Sequence, residues 1–370
     1  MINEQRITDN FLDMVKIPSP SLKERVMADY VKAELEKIGL EVTEDNAGES
    51  CNGNAGNIIG VLKAKGSNKK KVLFSAHMDT VLPCDKITPI IEDGIIKSDG
   101  TSVLGGDDKA GIAAILEMLK QLKENNLDHP EIIVVFSIAE EIGLLGARAM
   151  DVEKYAPDFG IIIDSGGKPG TVTVQAPFAA KGKIEIIGKP AHAGLEPENG
   201  INALVVASHA ITKLRLGRVD ENTTSNIGVV TGGTAVNIVM PSVSMMYEAR
   251  SFDGKVLDEL LSETKAIFTE TAKEFGAEFK EEIVKGYDGF KIEAGSEILR
   301  VLEGACKDID IEYKPMKSGG GSDTNIYNGK GIPSVNLGIG MSKVHTKEEF
   351  IKIEDMVGCT KLLLSIIDKI

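Results

Sequence analysis

The sequence lacks the features that define several other classes of protein. No apolar run approaches the ~20 residues that a membrane-spanning helix needs, and tryptophan is absent. The four cysteines are far apart and form no C-x-x-C pair, which excludes a disulfide framework and a zinc finger. Basic residues number 42 against 56 acidic ones, and the formal charge of -14 argues against nucleic-acid binding. We therefore expect neither a membrane nor a nucleic-acid partner.

Two further absences indicate where in the cell the protein is expected and which type of binding site it lacks. Residues 1–13 mix acidic and basic side chains without an apolar core, so they do not resemble a signal peptide. Together with cysteines that we interpret as reduced thiols, this predicts a cytoplasmic protein. The segment Gly319-Gly320-Gly321 lacks the Lys-Ser/Thr ending of a phosphate loop, which excludes a nucleotide site of that type. Its backbone N–H groups, that of Gly320 included, can instead line a substrate cleft.

The first and last parts of the chain alternate short apolar runs with amphipathic segments. Each apolar run is bounded by turn residues and predicts a strand: residues 57–63, 72–76, 131–138, 159–164 and 332–337. Helical spacing predicts helices over residues 108–123, from 296 and from 353. Strands that alternate with helices predict an α/β sheet with much parallel pairing.

The pattern of polar and apolar residues changes near Ala179. Strands that alternate polar and apolar residues, together with two helices, follow a β-α-β-β-α-β order up to Tyr287. We therefore predict an inserted α+β domain, with one sheet and two helices, over residues 180–286. The flanking residues 1–179 and 287–370 would form the larger α/β domain.

A capping-box pattern precedes one of the predicted helices. Ser21 and Glu24 have the spacing of that motif, and apolar positions at helical period follow until Gly39. The pattern predicts a helix that begins at Ser21 and whose first turn is held by these two side chains.

Two adjacent aspartates, Asp107 and Asp108, follow a glycine pair at a predicted helix start. Such carboxylates accept the free N–H groups of a helix, and they also bind cations. Metal-competent side chains occur on both sides of them: His77, Asp79, Glu140, Glu141, Asp164 and His345. Our central hypothesis is that Asp107 bridges two metal ions and that the other residues complete the site.

His77 ends one predicted strand, and Asp79 follows two positions later on the same face of an extended chain. His77 can therefore bind a metal ion while Asp79 accepts its other ring N–H. The alternative is a strand-end histidine bonded to a neighbouring loop. Asp107, Glu141 and Asp164 also lie just after predicted strands or at a helix start, and open α/β sheets bind ligands at that edge.

Glu140 and Glu141 emerge directly from an apolar strand, where carboxylates are unfavourable unless something compensates them. One can bind metal while the other acts as a general base, and the alternative is a helix-capping pair. The alternative to metal binding is a turn aspartate for Asp164 and a loop histidine for His345. Two histidines and three carboxylates suit zinc, with manganese or cobalt as further options. A pair of such ions activates water and polarises a carbonyl group.

These segments together resemble metallopeptidase family M20, with the strongest likeness to its peptidase T (tripeptide aminopeptidase) branch. The matching segments run from Phe74-Ser-Ala-His77-Met-Asp79-Thr80 and Leu104-Gly-Gly-Asp107-Asp108-Lys-Ala-Gly111 through Ala139-Glu140-Glu141-Ile-Gly143 and Ile163-Asp164 to His345-Thr346. The resemblance covers the whole chain in order and implies a zinc-peptidase α/β/α catalytic domain with a ferredoxin-like lid.

The resemblance also implies roles for individual residues. His77, Asp107 and Asp164 would hold one zinc ion, and Asp107, Glu141 and His345 the other. Glu140 would be the general base, and Asp79 would orient His77. The peptide bond between Asp107 and Asp108 is often cis in this family, and we expect the same here.

In the lid, the resemblance implies substrate-binding roles for His192, Asn237 and Arg250. His192 would stabilise the oxyanion, often from a second subunit, and the alternative is a surface-loop histidine. Asn237 is otherwise a turn residue, and Arg250 otherwise pairs with Glu248 or Asp253. The family also leads us to expect a homodimer formed through the lid, where the edge strand of residues 224–231 can pair with a second copy.

The leading functional hypothesis is a two-zinc aminopeptidase that cleaves short peptides. A second hypothesis keeps the chemistry but changes the substrate, to that of a dipeptidase, a carboxypeptidase or an N-acyl-amino-acid deacylase. A third is a metal-binding scaffold without catalysis, but such a scaffold has no need of the unligated Glu140.

Overall fold

The computed structural model describes residues 2–370, so residue 1 of the predicted larger domain lies outside the described residues. The chain divides into two compact units. One contains the residues up to Gln175 together with Lys291–Ser318 and Ser322–Ile370; the other contains Ala176–Phe290 and Gly319–Gly321. The predicted insertion of residues 180–286 falls inside the second unit. The glycine segment that joins that unit is distant in sequence and was not expected there.

The elements of the first unit come from both ends of the chain. Its strands are β1 (Glu41–Glu44), β2 (Ile58–Leu62), β3 (Lys71–His77), β4 (Pro89–Glu92), β5 (Ile95–Ser98), β6 (Glu131–Ser137), β7 (Phe159–Ser165), β8 (Thr171–Ala176), β14 (Phe290–Lys291), β15 (Lys314–Lys317), β16 (Ser334–Gly338) and β17 (Phe350–Lys352). Its helices are α1 (Glu4–Val15), α2 (Arg25–Ile38), α3 (Ala47–Cys51), α4 (Gly106–Glu124), α5 (Leu145–Ala149), α8 (Glu297–Asp308), α9 (Asp323–Gly329) and α10 (Ile353–Lys369), with a 3₁₀ turn at Glu153–Tyr155.

A mixed sheet with strand order β1-β2-β6-β3-β7-β16-β8-β14 forms the centre of this unit, and β15 pairs with β8. The strands β6, β3, β7 and β16 are parallel neighbours. Parallel strands place their carboxyl ends at one edge of a sheet. The segments that follow His77, Ser137, Ser165 and Gly338 therefore meet at that edge.

Both faces of the central sheet are covered, as its nearly continuous apolar strands predict. Val72 and Phe74 of β3 belong to a core that also contains Ile115 of α4 and Leu362 of α10. Ser75, the residue after Phe74, lies on the opposite face, and its hydroxyl is 3.3 Å from that of Tyr327 in α9. Helices therefore flank the sheet on two sides. A separate small sheet, β17-β5-β4, was not predicted from the sequence.

The second unit contains β9 (Phe178–Ile187), α6 (Ala203–Ile211), β10 (Gly217–Arg218), β11 (Thr223–Gly232), β12 (Ser242–Ser251), α7 (Gly254–Phe275) and β13 (Glu278–Tyr287), with a 3₁₀ turn at Pro197–Asn199. Its antiparallel sheet has the order β10-β11-β12-β9-β13. Apart from the two-residue β10, this is the arrangement of a ferredoxin-like β-α-β-β-α-β fold. Ile184 and Tyr247 of the sheet pack with Val206 of α6 and Phe268 of α7.

The capping-box prediction was wrong in its start and in its contacts. The helix α2 begins at Arg25, with Glu24 as its N-cap residue and no capping bond from that side chain. Ser21 donates its hydroxyl to Asp79 instead. Across residues 2–370, none of the helices combines the length and the apolar character required to cross a bilayer.

Candidate metal centre

His77 is the last residue of β3, and its side chain is 2% exposed. Its Nδ1 lies 2.9 Å from the backbone carbonyl oxygen of Asp79 and 3.4 Å from Oδ1 of the same residue. The closest acceptor is therefore the backbone oxygen, whereas the sequence suggested the Asp79 carboxylate. A carbonyl oxygen only accepts, so Nδ1 carries the proton. Nε2 then faces Asp107 Oδ1 at 3.0 Å and Asp164 Oδ1 at 3.8 Å.

The Asp79 carboxylate is fully buried and holds the turn that carries the two glutamates. Its Oδ1 accepts the backbone N–H of Glu140 at 2.9 Å, and its Oδ2 accepts that of Glu141 at 3.2 Å. Ser21 Oγ donates to Oδ2 at 2.6 Å. Burial opposes ionisation, but hydrogen bonds from His77 and from these donors lower the pKa of Asp79. Asp79 therefore connects the His77 strand to the Glu140 turn.

Asp107 occupies the start of α4, where its backbone is not helical. The peptide bond between Asp107 and Asp108 is cis, as expected. Oδ1 of Asp107 contacts His77, and Oδ2 lies 3.2 Å from Nε2 of His345. Burial opposes ionisation, but the hydrogen bonds from His345 and His77 lower the pKa of Asp107. One carboxylate therefore faces both histidines, which is the arrangement that a shared ligand requires.

Asp108 was not predicted to contact the site, yet its carboxylate lies beside His77. Its Oδ2 accepts the backbone N–H of His77, and its Oδ1 accepts that of Gly111, both at 3.2 Å. Burial and the nearby Asp164 raise its pKa well above the usual value. The contacts of Asp108 connect the first turn of α4 to the end of β3.

Glu140 and Glu141 follow β6 in a turn that begins at Ala139, whose φ is +50°. Oε1 of Glu141 lies 2.9 Å from Nε2 of His345. The Glu140 carboxylate is buried, and within residues 2–370 it has no hydrogen bond or ion pair. Burial and the negative charge of Asp164 raise the pKa of Glu140 well above its usual value. The two neighbours therefore differ in their surroundings, because Glu141 lies beside a histidine and the Glu140 carboxylate does not.

Asp164 lies near the carboxyl end of β7 and is held by the neighbouring strand. Its backbone N–H donates to Asn336 Oδ1 at 2.9 Å, and Asn336 Nδ2 donates to its carbonyl at 3.2 Å. Burial and the charge of Asp107 raise its pKa well above the usual value. Asn336 therefore fixes the backbone of Asp164, and the Asp164 side chain faces His77 Nε2 at 3.8 Å.

His345 comes from a loop, not from a strand end, and its side chain is 50% exposed. Its backbone is left-handed, with a φ of +64°. Hydrogen bonds to Asp107 and Glu141 raise its pKa to about 10. The residue nevertheless reaches the same two carboxylates that the resemblance assigns to the second metal ion.

The donor set fits divalent cations. Two groups have ligand atoms that all lie within 4.8 Å of one another: His77, Asp108 and Asp164, and His77, Asp107 and Glu141. Buried carboxylates that repel one another are unfavourable without a compensating positive charge. Imidazole and carboxylate ligands together suit zinc, manganese or cobalt.

The family model for peptidase family M20/M25/M40 matches residues 73–369. The chain belongs to this family. The predicted family, the predicted mixed α/β fold and the prediction of an enzyme are thereby confirmed.

Three relatives cover nearly the full length of this M20 chain. Aminopeptidase PepT from Bacillus cereus is 39% identical with a TM-score of 0.92, over 100% of this chain and 99% of that one. A tripeptidase from Staphylococcus aureus is 38% identical with a TM-score of 0.95, over 99% and 98%. Peptidase T from Clostridium perfringens is 29% identical over 98% of both sequences.

The substrate-binding residues predicted for this M20 chain belong to the second compact unit. His192 is exposed, and its Nδ1 accepts the backbone N–H of Gly194 at 3.2 Å. The carbonyl of Asn237 accepts the N–H of Ala193 at 2.9 Å. Arg250 forms a bidentate ion pair with Glu248 and donates Nη1 to the carbonyl of Gly319 at 2.9 Å. Gly320 follows Gly319 in the chain and is half-buried.

Sequence reasoning missed several side chains that hold the metal-site segments. Glu24 accepts the N–H of Ala139 at 3.1 Å, next to the Glu140 turn. Burial and the charge of Asp79 raise the pKa of Glu24 to about 7. Asp323 accepts the hydroxyl of Ser137 at 2.5 Å, and burial raises its pKa to about 6. Only Glu24 carried a sequence signal, the capping-box spacing, and it suggested a different role.

Proposed function

We propose that this M20 peptidase is a two-metal aminopeptidase that hydrolyses short peptides, with tripeptides as the main substrates. The observation that carries the proposal is the Asp107 carboxylate, whose two oxygens face His77 and His345. The substrate class is supported by two of the relatives, an aminopeptidase at 39% identity and a tripeptidase at 38% identity.

The proposed ligands of one ion are His77, Asp107 and Asp164, and those of the other are Asp107, Glu141 and His345. These five residues supply two imidazoles and three carboxylates at the sheet edge. Zn²⁺ is the ion that we propose, and Mn²⁺ or Co²⁺ suits the same donors. When bound, such a pair supplies Lewis-acid polarisation of the scissile carbonyl and lowers the pKa of water.

Glu140 is the proposed proton carrier. Its carboxylate is buried, has no partner among residues 2–370, and has a pKa raised by burial and by Asp164. A raised pKa suits a group that takes a proton from attacking water and gives it to the leaving amine. Asp79 supports this step because it holds the backbone N–H groups of Glu140 and Glu141.

The second unit is proposed to act as a lid that binds the substrate. In this role His192 stabilises the oxyanion, Arg250 pairs with the peptide carboxylate, and Asn237 and Gly320 contact the peptide. The variants His192→Ala and Arg250→Gln test these roles separately. A role in the transition state lowers kcat, whereas a role in carboxylate binding raises KM.

A homodimer through the lid is a further part of the proposal. The short β10 covers β11 only at Thr224 and Ser225, which leaves the rest of that strand as an edge. Val229 and Val230 on this edge are 52% and 51% exposed. Unpaired strand edges with apolar side chains favour association. Light scattering of the wild type and of Val230→Lys tests the dimer, and cell fractionation tests the proposed cytoplasmic location.

The decisive test of the chemistry is Glu140→Gln, which keeps the shape of the side chain but removes the base. We expect both metal ions to bind with unchanged stoichiometry while kcat for a free tripeptide falls by about 10²-fold or more. Glu348→Gln is the matched control, because Glu348 is exposed and its carboxylate forms an ion pair with Lys343 on the surface. Retained turnover in Glu140→Gln would remove that residue from the role.

A substrate comparison separates the aminopeptidase from the alternative activities. An aminopeptidase cleaves a free tripeptide and rejects its N-acetylated form, whereas a deacylase prefers the blocked compound. Mass spectrometry of the products identifies which peptide bond is cleaved. Cleavage that begins at the carboxyl end would contradict the aminopeptidase proposal while leaving the metal site intact.

A further inference from the structure

Glu349 is a buried carboxylate that the proposed chemistry does not use. It is 2% exposed and lies four residues after His345. Its neighbours in sequence, Lys347 and Glu348, are exposed, so the burial of Glu349 is specific to this position. A buried carboxylate is unfavourable unless its oxygens accept hydrogen bonds.

The oxygens of Glu349 accept three backbone N–H groups from the loop that carries Asp107. Oε2 accepts those of Leu104 at 2.8 Å and Gly105 at 2.9 Å. Oε1 accepts that of Asp107 itself at 3.0 Å. All three donors belong to a segment more than 240 residues away in sequence. One side chain therefore accepts three backbone N–H groups at and just before the start of α4.

The segment from Leu104 to Asp107 has no regular secondary structure whose hydrogen bonds would satisfy these three N–H groups. Gly105 is left-handed with a φ of +71°, and the backbone of Asp107 and Asp108 is not helical. The N–H of Asp107 therefore has the carboxylate as its acceptor in place of a helical carbonyl. Gly106 leaves room for this contact, since a Cβ there would lie 3.0 Å from Oε1 of Glu349.

The segment that carries Glu349, residues 342–350, is a loop whose two ends hydrogen bond to each other; we call it the ring. The backbone groups of Ser342 and Phe350 hydrogen bond to each other in both directions at 3.1 Å. His345 and Glu349 both lie within this ring, and Thr346 Oγ1 donates to the carbonyl of Lys343 at 2.7 Å. The ring thus presents an imidazole and a carboxylate to the same neighbouring loop. His345 contacts the Asp107 side chain, and Glu349 contacts its backbone.

We propose that Glu349 is a positioning residue that holds the Asp107 carboxylate against His345, in the orientation in which these two residues would bind metal. This inference rests on the proposed metal site and adds a residue outside the ligand set. Glu349 acts through Asp107 and touches neither substrate nor metal. Groups that orient metal ligands typically change metal affinity by about 10–100-fold when replaced.

The test uses Glu349→Gln, which preserves size and removes the second accepting oxygen. A glutamine amide has one accepting oxygen, so its NH₂ group must face at least one of the backbone donors. We expect the affinity of metal-free protein for Zn²⁺, measured by competition with a chromophoric chelator, to fall at least about tenfold. For a free tripeptide, kcat falls while KM stays within about twofold. Glu348→Gln is the control and keeps wild-type values.

The wild type is measured first, so that two kinds of failure remain separate. A wild-type protein that binds no Zn²⁺ contradicts the proposed metal site. Normal Zn²⁺ binding by wild type and by Glu349→Gln overturns only the role of Glu349. A variant whose metal-free form unfolds more easily but binds Zn²⁺ normally also overturns it, because that result is purely structural.

A second variant decides the question if Glu349→Gln does not fold. Gly106→Ala keeps the carboxylate and all three donors, but its new methyl group would lie 3.0 Å from Oε1, so this oxygen must shift by a few tenths of an ångström relative to the Asp107 N–H. A reduced Zn²⁺ affinity in this variant supports the positioning role. Wild-type affinity in a folded Gly106→Ala protein overturns it.

Discussion

The two histidines of the candidate metal centre are held in opposite ways. His77 ends a central strand, is 2% exposed, and donates Nδ1–H to the backbone of Asp79. His345 lies in a loop, has a left-handed backbone, and is 50% exposed. The sheet therefore orients one imidazole directly. The other depends on a loop closed by Ser342 and Phe350, and Asp107 is the residue common to both sides.

The largest loss of activity is expected from Asp107→Ala, which removes the carboxylate that contacts both His77 and His345. In the proposed site both metal ions would lose a ligand in this variant, and His77 and His345 lose their common partner. Metal catalysis supplies several kcal/mol, so kcat/KM should fall at least about 10³-fold. Elemental analysis of the purified variant checks that bound metal decreases with activity. A variant that retained two ions would contradict the shared role.

The variants His77→Ala and His345→Ala compare the histidine held by the sheet with the histidine held by the loop. Both should reduce metal binding, but only the first opens a buried space and leaves a contact with Asp79 unmade. We expect the metal-free His77→Ala protein to lose about 2 kcal/mol or more of unfolding free energy, and His345→Ala less than about 1 kcal/mol. Urea denaturation in the presence of a chelator measures both. Equal losses would show that exposure does not separate the two histidines.

The residues predicted from the sequence lie after central strands or, for Asp107, at a helix start. His77, Asp107, Glu141 and Asp164 were placed together because open α/β sheets bind ligands at the carboxyl edge of their strands. The structure brings His77 together with Asp107 and Glu141 in one cluster, and with Asp108 and Asp164 in another. His345 was included because it completes a pair of histidines with His77, and the family resemblance then implied its place at the second ion, since no strand pattern positions a loop histidine. The element order of the inserted unit was also predictable, because its strands alternate polar and apolar residues.

The residues that hold these side chains were not predictable, and the reason is physical. Glu349 and Glu24 bind backbone N–H groups of segments far away in sequence, and backbone donors have no sequence signature. Glu24 shows how a local pattern can mislead. Its spacing from Ser21 suggested a helix cap, but both side chains bind the residues around Asp79 and Ala139 instead. Tertiary contacts determined the role of a motif that local rules assign to a helix.

A smaller effect is expected from Asp79→Asn on the His77 side. Each Asp79 oxygen accepts the N–H of a glutamate in the next turn, so the new NH₂ group must face one donor. We expect kcat to fall about 10–100-fold with metal stoichiometry unchanged. Similar losses in Asp79→Asn and Glu349→Gln would mean that both sides depend equally on their anchoring carboxylates. A loss confined to Asp79→Asn would mean that the sheet side alone is sensitive.

The smallest effect concerns the charge of His345 in the metal-free protein. Hydrogen bonds to Asp107 and Glu141 raise its pKa to about 10, against about 6.5 for an unperturbed histidine. A group whose pKa is raised by folding stabilises the folded state fully below its unfolded pKa. That stabilisation is lost as the pH rises through the folded pKa. The difference in unfolding free energy between wild type and His345→Ala should therefore shrink between about pH 6 and about pH 10.

Because the imidazole is half exposed, this difference should stay below about 1 kcal/mol even at the acidic end. Chelator-treated protein is required, since a bound cation would compete with the proton for Nε2. His77 remains in both proteins, so its own titration cancels from the comparison to first order. A difference that grew with pH would contradict the ion pairs of His345 with Asp107 and Glu141. It would mean that His345 does not lie beside these two carboxylates.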